Sequence, residues 1–148
     1  MSAQSRRGSD SRCCRPHVRS LTWRDYSDAE HPSVVALNAW LQSLAPFVRL
    51  HEEGEIDDLM DAAERGELWD SGDGATPIKP IRLDPEIFEL RRTALSKKLR
   101  FYHGEPADLP QDLIALHRHI KSGNETQQLE IEYAAERYGR GRSFEWRD

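Results

Sequence analysis

Residues 87–138 read IFELRRTALSKKLRFYHGEPADLPQDLIALHRHIKSGNETQQLEIEYAAERY, and their pattern decides the fold. Three runs alternate with the period of a strand: Ile87–Arg92, Leu95–His103 and Asp112–Lys121. Ser122-Gly123-Asn124 breaks the alternation, and Thr126–Tyr138 continues at helical spacing with Leu129, Ile131, Ala134, Ala135 and Tyr138 available for packing. Successive strand side chains point to opposite faces. Phe88, Leu90, Leu99, Phe101, Ile114, Leu116 and Ile120 are therefore expected on one face, and Arg91, Lys98, Arg100, Tyr102, His117, His119 and Lys121 on the other. Arg118 falls by parity among the apolar set and is expected near an edge, its charged end reaching water. An apolar back with a basic front suits binding of phosphate backbones. The plain alternative is a solvated sheet surface, which antiparallel sheets commonly carry.

Upstream, Val18–Tyr26 alternates loosely and reads as a first strand. Pro32 suits a helix start, and Val34, Val35, Leu37, Leu41 and Leu44 recur at helical spacing until Pro46 stops them. A second helix is expected from about Phe47 to Arg65, with a bend or split at Gly54. Gly66–Pro77 is a loop. Ile78–Leu83 and Ile87–Arg92 read as one bent strand or two short ones, interrupted by Asp84-Pro85. The expected fold class is α+β, with an N-terminal helical hairpin packed on a small antiparallel sheet and a C-terminal helix. Three segments follow: a disordered basic tail over 1–16, the folded domain over 17–139, and a polar C-terminal tail over 140–148 from which Phe144 and Trp146 can dock back.

The 148 residues carry a net charge of −5, but unevenly. Arg6, Arg7, Arg12, Arg15 and Arg19 face one Asp in the first 20 residues, whereas Glu52–Asp73 holds ten acidic residues against Arg65 alone. No run approaches the roughly 18 apolar residues of a membrane span, and no apolar core follows the basic N-terminus as in a secretory signal. A cytoplasmic protein is expected. Cys13 and Cys14 are adjacent, which neither staples a fold nor matches the C-x-x-C spacing of a zinc site. His17 could join them and His117 could pair with His119, yet nothing completes a ligand set, so no metal or other cofactor is expected.

The polar face unites the side chains that RNA cleavage needs. Attack by a 2′-hydroxyl requires a base, cations on the developing phosphorane charge, and an acid for the leaving oxygen. His titrates near neutrality and serves either proton role; Arg and Lys suit phosphate, and Tyr stacks on bases.

Glu89-Leu90-Arg91, the short strand Leu99-Arg100-Phe101-Tyr102, the aliphatic strand Ile114–Lys121 with Leu116-His117 and Lys121, and the helix Thr126–Arg137 with Glu130-Ile131 and Ala134 occur in an order that resembles the RelE/ParE toxin superfamily. The likeness is greatest to its HigB-type, phage-derived branch. Pro32–Val48, with the turn Ser43-Leu44-Ala45-Pro46, extends the resemblance upstream, and it covers about Val18–Tyr138. It implies a toxin of a type II toxin–antitoxin pair, usually a metal-independent endonuclease cutting mRNA on the ribosome. A helix-turn-helix antitoxin, mRNA and the ribosome are the implied partners, with no membrane. Carried onto this chain, it puts Arg91, Arg100 and Lys121 on the phosphate-binding surface and His117 and His119 where the last strand presents polar residues. Taken with strand parity, His117, His119 and Arg100 are the expected catalytic residues, and Arg91, Lys98, Tyr102 and Lys121 the expected RNA-binding ones. The alternatives are ParE-like inhibition of gyrase and a non-catalytic binding protein with this fold. A further expectation is that the acidic loop Glu64–Asp73 folds across the basic face and masks it, against the plainer one of a solvated helix face and loop.

Overall fold

The computed structural model describes residues 10–147. In chain order it contains β1 (Thr22–Asp25), α1 (Pro32–Ser43), α2 (Pro46–Glu64), β2 (Ile78–Leu83), β3 (Glu86–Ala94), β4 (Lys97–Gly104), β5 (Asp112–Lys121) and α3 (Asn124–Ser143). The architecture is α+β, with a five-stranded sheet in the order β1-β5-β4-β3-β2. The expected antiparallel sheet is in fact mixed, because β1 pairs parallel to β5. Alternation assigns side chains to faces but is the same for either strand direction, so the sequence pattern carried no sign of it.

Local chemistry sets the element ends. The Ser33 N–H donates to His31 Nδ1 (3.1 Å) at the start of α1, beside Pro32. Pro46 opens α2, which runs through Gly54 to Glu64 without splitting there. Gly66 then takes φ +71°, a left-handed conformation that favours glycine, just past the helix end. β3 and β4 are joined by Leu95 and Ser96, both at positive φ (50° and 71°), the mirror-image turn whose twist matches a two-residue hairpin.

Both faces of the sheet are covered. Leu37 and Leu41 of α1 and Ala63 of α2 pack with Leu90, Leu99, Phe101 and Leu113. Ile131, Ala134 and Tyr138 of α3 pack with Ile87, Tyr102, Ile114 and Leu116. Gly104 permits that approach: a Cβ there would lie 2.5 Å from the Tyr138 ring. The expected single apolar face is thus divided. Ala115 pairs with His103 and His117 with Tyr102, leaving Leu116 as the extra residue of a β-bulge. The bulge turns Ile114 and Leu116 to the α3 side, while Ile120 opposite Leu99 and Arg118 opposite Phe101 face α1 and α2.

Both expected tails are also corrected where they are described. Residues 1–9 of the tail over 1–16 lie outside the described residues. Arg12–Cys14 is a buried 3-10 turn capped by the Ser11 side chain. The Arg12 guanidinium donates to the carbonyls of Pro106, Leu109 and Asp112 at 2.8–2.9 Å, so it holds a loop rather than reaching for nucleic acid. At the other end, α3 continues to Ser143, and Trp146 docks edge-on against Tyr26 and Tyr138 while Phe144 stays exposed. Asp148 lies outside the described residues.

Candidate functional site

Strand register gathers all seven sequence-derived site residues on the α3 face in three rows. Lys98 stands opposite Lys121 at the open end of the sheet. The next row is Arg91, Arg100 and His119, and the third is Glu89, Tyr102 and His117. Parity therefore grouped these residues correctly. What it did not foresee is the lid. α3 crosses the second and third rows, leaving Arg100 6%, Tyr102 1%, and His117 and His119 each 2% exposed. Of the seven, only Lys98 is exposed, with Arg91 and Lys121 half-buried at the margin.

The buried part is a polar network. Gln127 of α3 donates to Glu89 Oε2 (2.6 Å) and approaches the Tyr102 hydroxyl (3.4 Å). Glu89 Oε1 accepts from Arg91 Nε at 2.6 Å and lies 3.8 Å from Arg100 Nε. Tyr102 Oη is 2.8 Å from His119 Nε2. The His119 ring also bonds the Ile120 backbone. A proton on Nδ1 satisfies that contact and leaves Nε2 to accept from the tyrosine. His117 Nε2 lies 2.5 Å from Glu130 Oε1, and Ser33 donates to the other oxygen of Glu130 at 2.9 Å. The His31 and Tyr133 rings close the outer side of His117.

Electrostatics suits a closed interior with neutral histidines. Burial lowers the pKa of His119 to about 4, outweighing the nearby Glu130. Burial lowers that of His117 as well, in spite of its hydrogen bond to Glu130. Burial opposes ionisation of Glu130, but hydrogen bonds from His117 and Ser33 hold its carboxyl below the ordinary value. The pair is thus a neutral imidazole donating to a carboxylate. Tyr102 is held protonated by burial and by Glu89. At the margin, partial burial and the neighbouring Arg100 push Lys121 down.

His119, expected on the basic front of the sheet, is interior and hydrogen-bonded. Glu89, Gln127 and Glu130 were missed as site members. Glu89 shares the parity of Arg91, and Gln127 and Glu130 are spaced to share one helix face, but nothing in the sequence said that this face lies on these strands. Within the acidic loop, Asp70 is buried and accepts from Gly72 N–H and the Thr76 hydroxyl, while Glu67 pairs with Arg65. The loop borders the basic face at Arg91, across a groove shared with Asp73 and Lys79.

Among the described residues, two groups bring enough ligand atoms together for a metal: His31, His117 and Glu130 beside α3, and Cys13, His103 and Glu105 on the opposite side of the sheet. Comparison with protein-family models, curated proteins and solved structures finds no match for this chain.

Proposed function

We propose that the chain is an RNA-directed toxin of the RelE/ParE class. In this reading Arg91, Lys98 and Lys121 hold the phosphate backbone of mRNA, with Arg100 behind them under α3, and a helix-turn-helix antitoxin restrains the protein in the cytoplasm. The observation that carries the reading is the arrangement of those four cations on one face, in two adjacent rows, with Glu89 as the carboxylate bonded among them. A local cationic excess of this kind binds polyanions even on a chain of net charge −5, since interactions beyond about 10 Å are screened at ordinary salt. The start of α3, at Asn124, borders Lys98 and Lys121, and its dipole adds to the attraction. No helix among the described residues is long and apolar enough to cross a membrane.

Cleavage is the more demanding half of the proposal. His117, His119 and Arg100 lie beneath α3, so they meet RNA only when that helix moves aside; with α3 seated, the protein binds and does not cut. This burial specifically favours the non-catalytic reading as the second choice. Induced expression tests the two together. Growth arrest with cuts in translated transcripts is expected of the toxin. Soluble protein that binds RNA in a salt-dependent way but leaves growth and transcripts intact selects the binding protein. Absence of salt-dependent RNA binding rejects both.

A further inference from the structure

On the α1–α2 side of β4, three side chains from different parts of the chain meet around one point. Cys13 comes from the N-terminal turn, His103 from the end of β4 and Glu105 from the loop that follows it. Cys13 Sγ is 3.6 Å from His103 Nε2 and 3.8 Å from Glu105 Oε2, and that Nε2 and Oε2 are 2.8 Å apart. Cys13 and His103 are 0% and 1% exposed.

A thiol, an imidazole and a carboxylate invite a nucleophile–base–acid reading, but the geometry is wrong for it. Such a triad uses both ring nitrogens, one toward the thiol and the other toward the carboxylate. Here thiol and carboxylate both approach Nε2, while Nδ1 makes no hydrogen bond. Burial, and then Glu105 beside it, push the Cys13 thiol up, which also disfavours a nucleophile.

Three donors converging on one point is instead the form of a metal centre. Zinc bonds of about 2.3 Å to sulfur and about 2.0–2.2 Å to nitrogen and oxygen give tetrahedral edges of roughly 3.3–3.6 Å. The two edges from sulfur are already close to that, and opening the third by about half an ångström seats the ion. Supporting groups are in place. Ser11 Oγ donates to Glu105 Oε2 (2.7 Å) and accepts from Cys13 N–H (3.0 Å), and Arg12 N–H donates to Glu105 Oε1 (2.8 Å). Such bonds orient ligating carboxylates. The free Nδ1 of His103 can carry the ring proton while Nε2 binds metal.

We propose that Cys13, His103 and Glu105 form a buried zinc site that fastens the N-terminal turn to β4. Sulfur with nitrogen and oxygen donors suits a borderline-soft ion such as zinc better than calcium or magnesium. Binding releases the Cys13 proton to solvent and leaves a thiolate, so affinity rises with pH. The Cys13 carbonyl accepts from Leu68 N–H (2.9 Å), so the same clamp reaches the segment after α2. The site is independent of the RNA-binding reading and lies on the other side of the sheet from it.

Full-length protein purified without a metal-binding tag should hold about one zinc per chain, and cobalt in its place should give a sulfur-to-metal charge-transfer band. Cys13→Ser and His103→Ala should each weaken zinc binding at least about 100-fold, and Ser11→Ala about 10–100-fold. Cys14→Ser and His17→Ala should keep it, since His17 Nε2 is engaged with the Arg12 carbonyl. Removing zinc with a chelator should lower the melting temperature of the unaltered protein, and adding zinc should restore it. Should the variants fail to fold, the cobalt spectrum of the unaltered chain decides. Absence of that sulfur band, failure to take up zinc at micromolar concentration, or loss of metal from Cys14→Ser while Cys13→Ser retains it overturns the site.

Discussion

On one side of β4, Leu99 and Phe101 meet Leu37, Leu41 and Ala63 beneath α1 and α2. On the other side of the same strand, Arg100 and Tyr102 lie under α3 among Glu89, Gln127, His117 and His119. Both faces exclude water, but by different physics. The first is held by apolar burial, which is non-directional and tolerates volume-conserving change. The second keeps ionisable groups inside, which is tolerable only while each finds its partner. Arg100 Nε and His117 Nδ1 make no hydrogen bond. Replacing such an interior with apolar side chains is often neutral or stabilising. Its presence therefore points to a role other than stability, and this is where most of the residues of the proposed site converge.

The sharpest way to break the comparison is to remove one partner from each face. Glu89→Ala strands Arg91 and Arg100 without their carboxylate and should lower stability by about 3–5 kcal/mol. Leu99→Ala should cost a similar amount, about 2–5 kcal/mol, through its cavity. Urea unfolding measures both. A loss below about 1 kcal/mol for Glu89→Ala would mean that the polar network has no structural weight.

Proton linkage distinguishes the faces next. His119 is buried neutral, with a folded pKa of about 4 against an ordinary 6.5. Between these values the unfolded chain binds the extra proton. The His119 contribution is therefore fully present above about pH 6.5 and is lost as pH falls toward 4, at up to about 1.4 kcal/mol per pH unit. The lowered pKa of His117 adds in the same direction, and Glu130, also lowered, adds its loss below the ordinary carboxylate value. His119→Gln should flatten the slope between pH 6.5 and 4, whereas Leu99→Ala should shift the whole curve without changing its shape. A parent protein whose melting temperature is flat over that window contradicts neutral, buried histidines.

The smallest effect on stability is expected at the margin of the lid. Lys98→Ala with Lys121→Ala should change unfolding free energy by no more than about 0.5 kcal/mol per site. The same pair should weaken RNA binding across sequences and reduce its salt slope by about one unit for each phosphate no longer neutralised. RNA affinity and salt slope unchanged in the double variant would remove the margin from the binding surface.

Much of this molecule was legible in advance. The strands around Phe88, Leu99 and His117, the start of α1 at Pro32, the break at Ser122–Asn124 and the last helix all follow from period, proline and glycine. Parity placed Arg100 and His119 on one face, and the register sets them directly opposite. Parity failed at Ile114 and Leu116, because a bulge inserts one residue and no local composition marks it. Cys13 and Arg12 were unreadable for a different reason. Their partners, His103, Glu105, Leu109 and Asp112, are some ninety or more positions away, and a polar, arginine-rich stretch looks alike whether solvated or clamped.

The sequence by itself determined which residues alternate, where helices begin, and which side chains share a strand face, since these depend on neighbours within a few positions. Only the tertiary structure decided what covers each face. The docking of α3 turned an expected open, basic surface into an interior with a cationic margin. It also turned His117 and His119, expected as proton carriers, into buried, neutral partners of Glu130 and Tyr102. The physical reason is that burial and desolvation belong to the whole packed chain. A histidine's charge at neutral pH is then set by elements far from it in sequence.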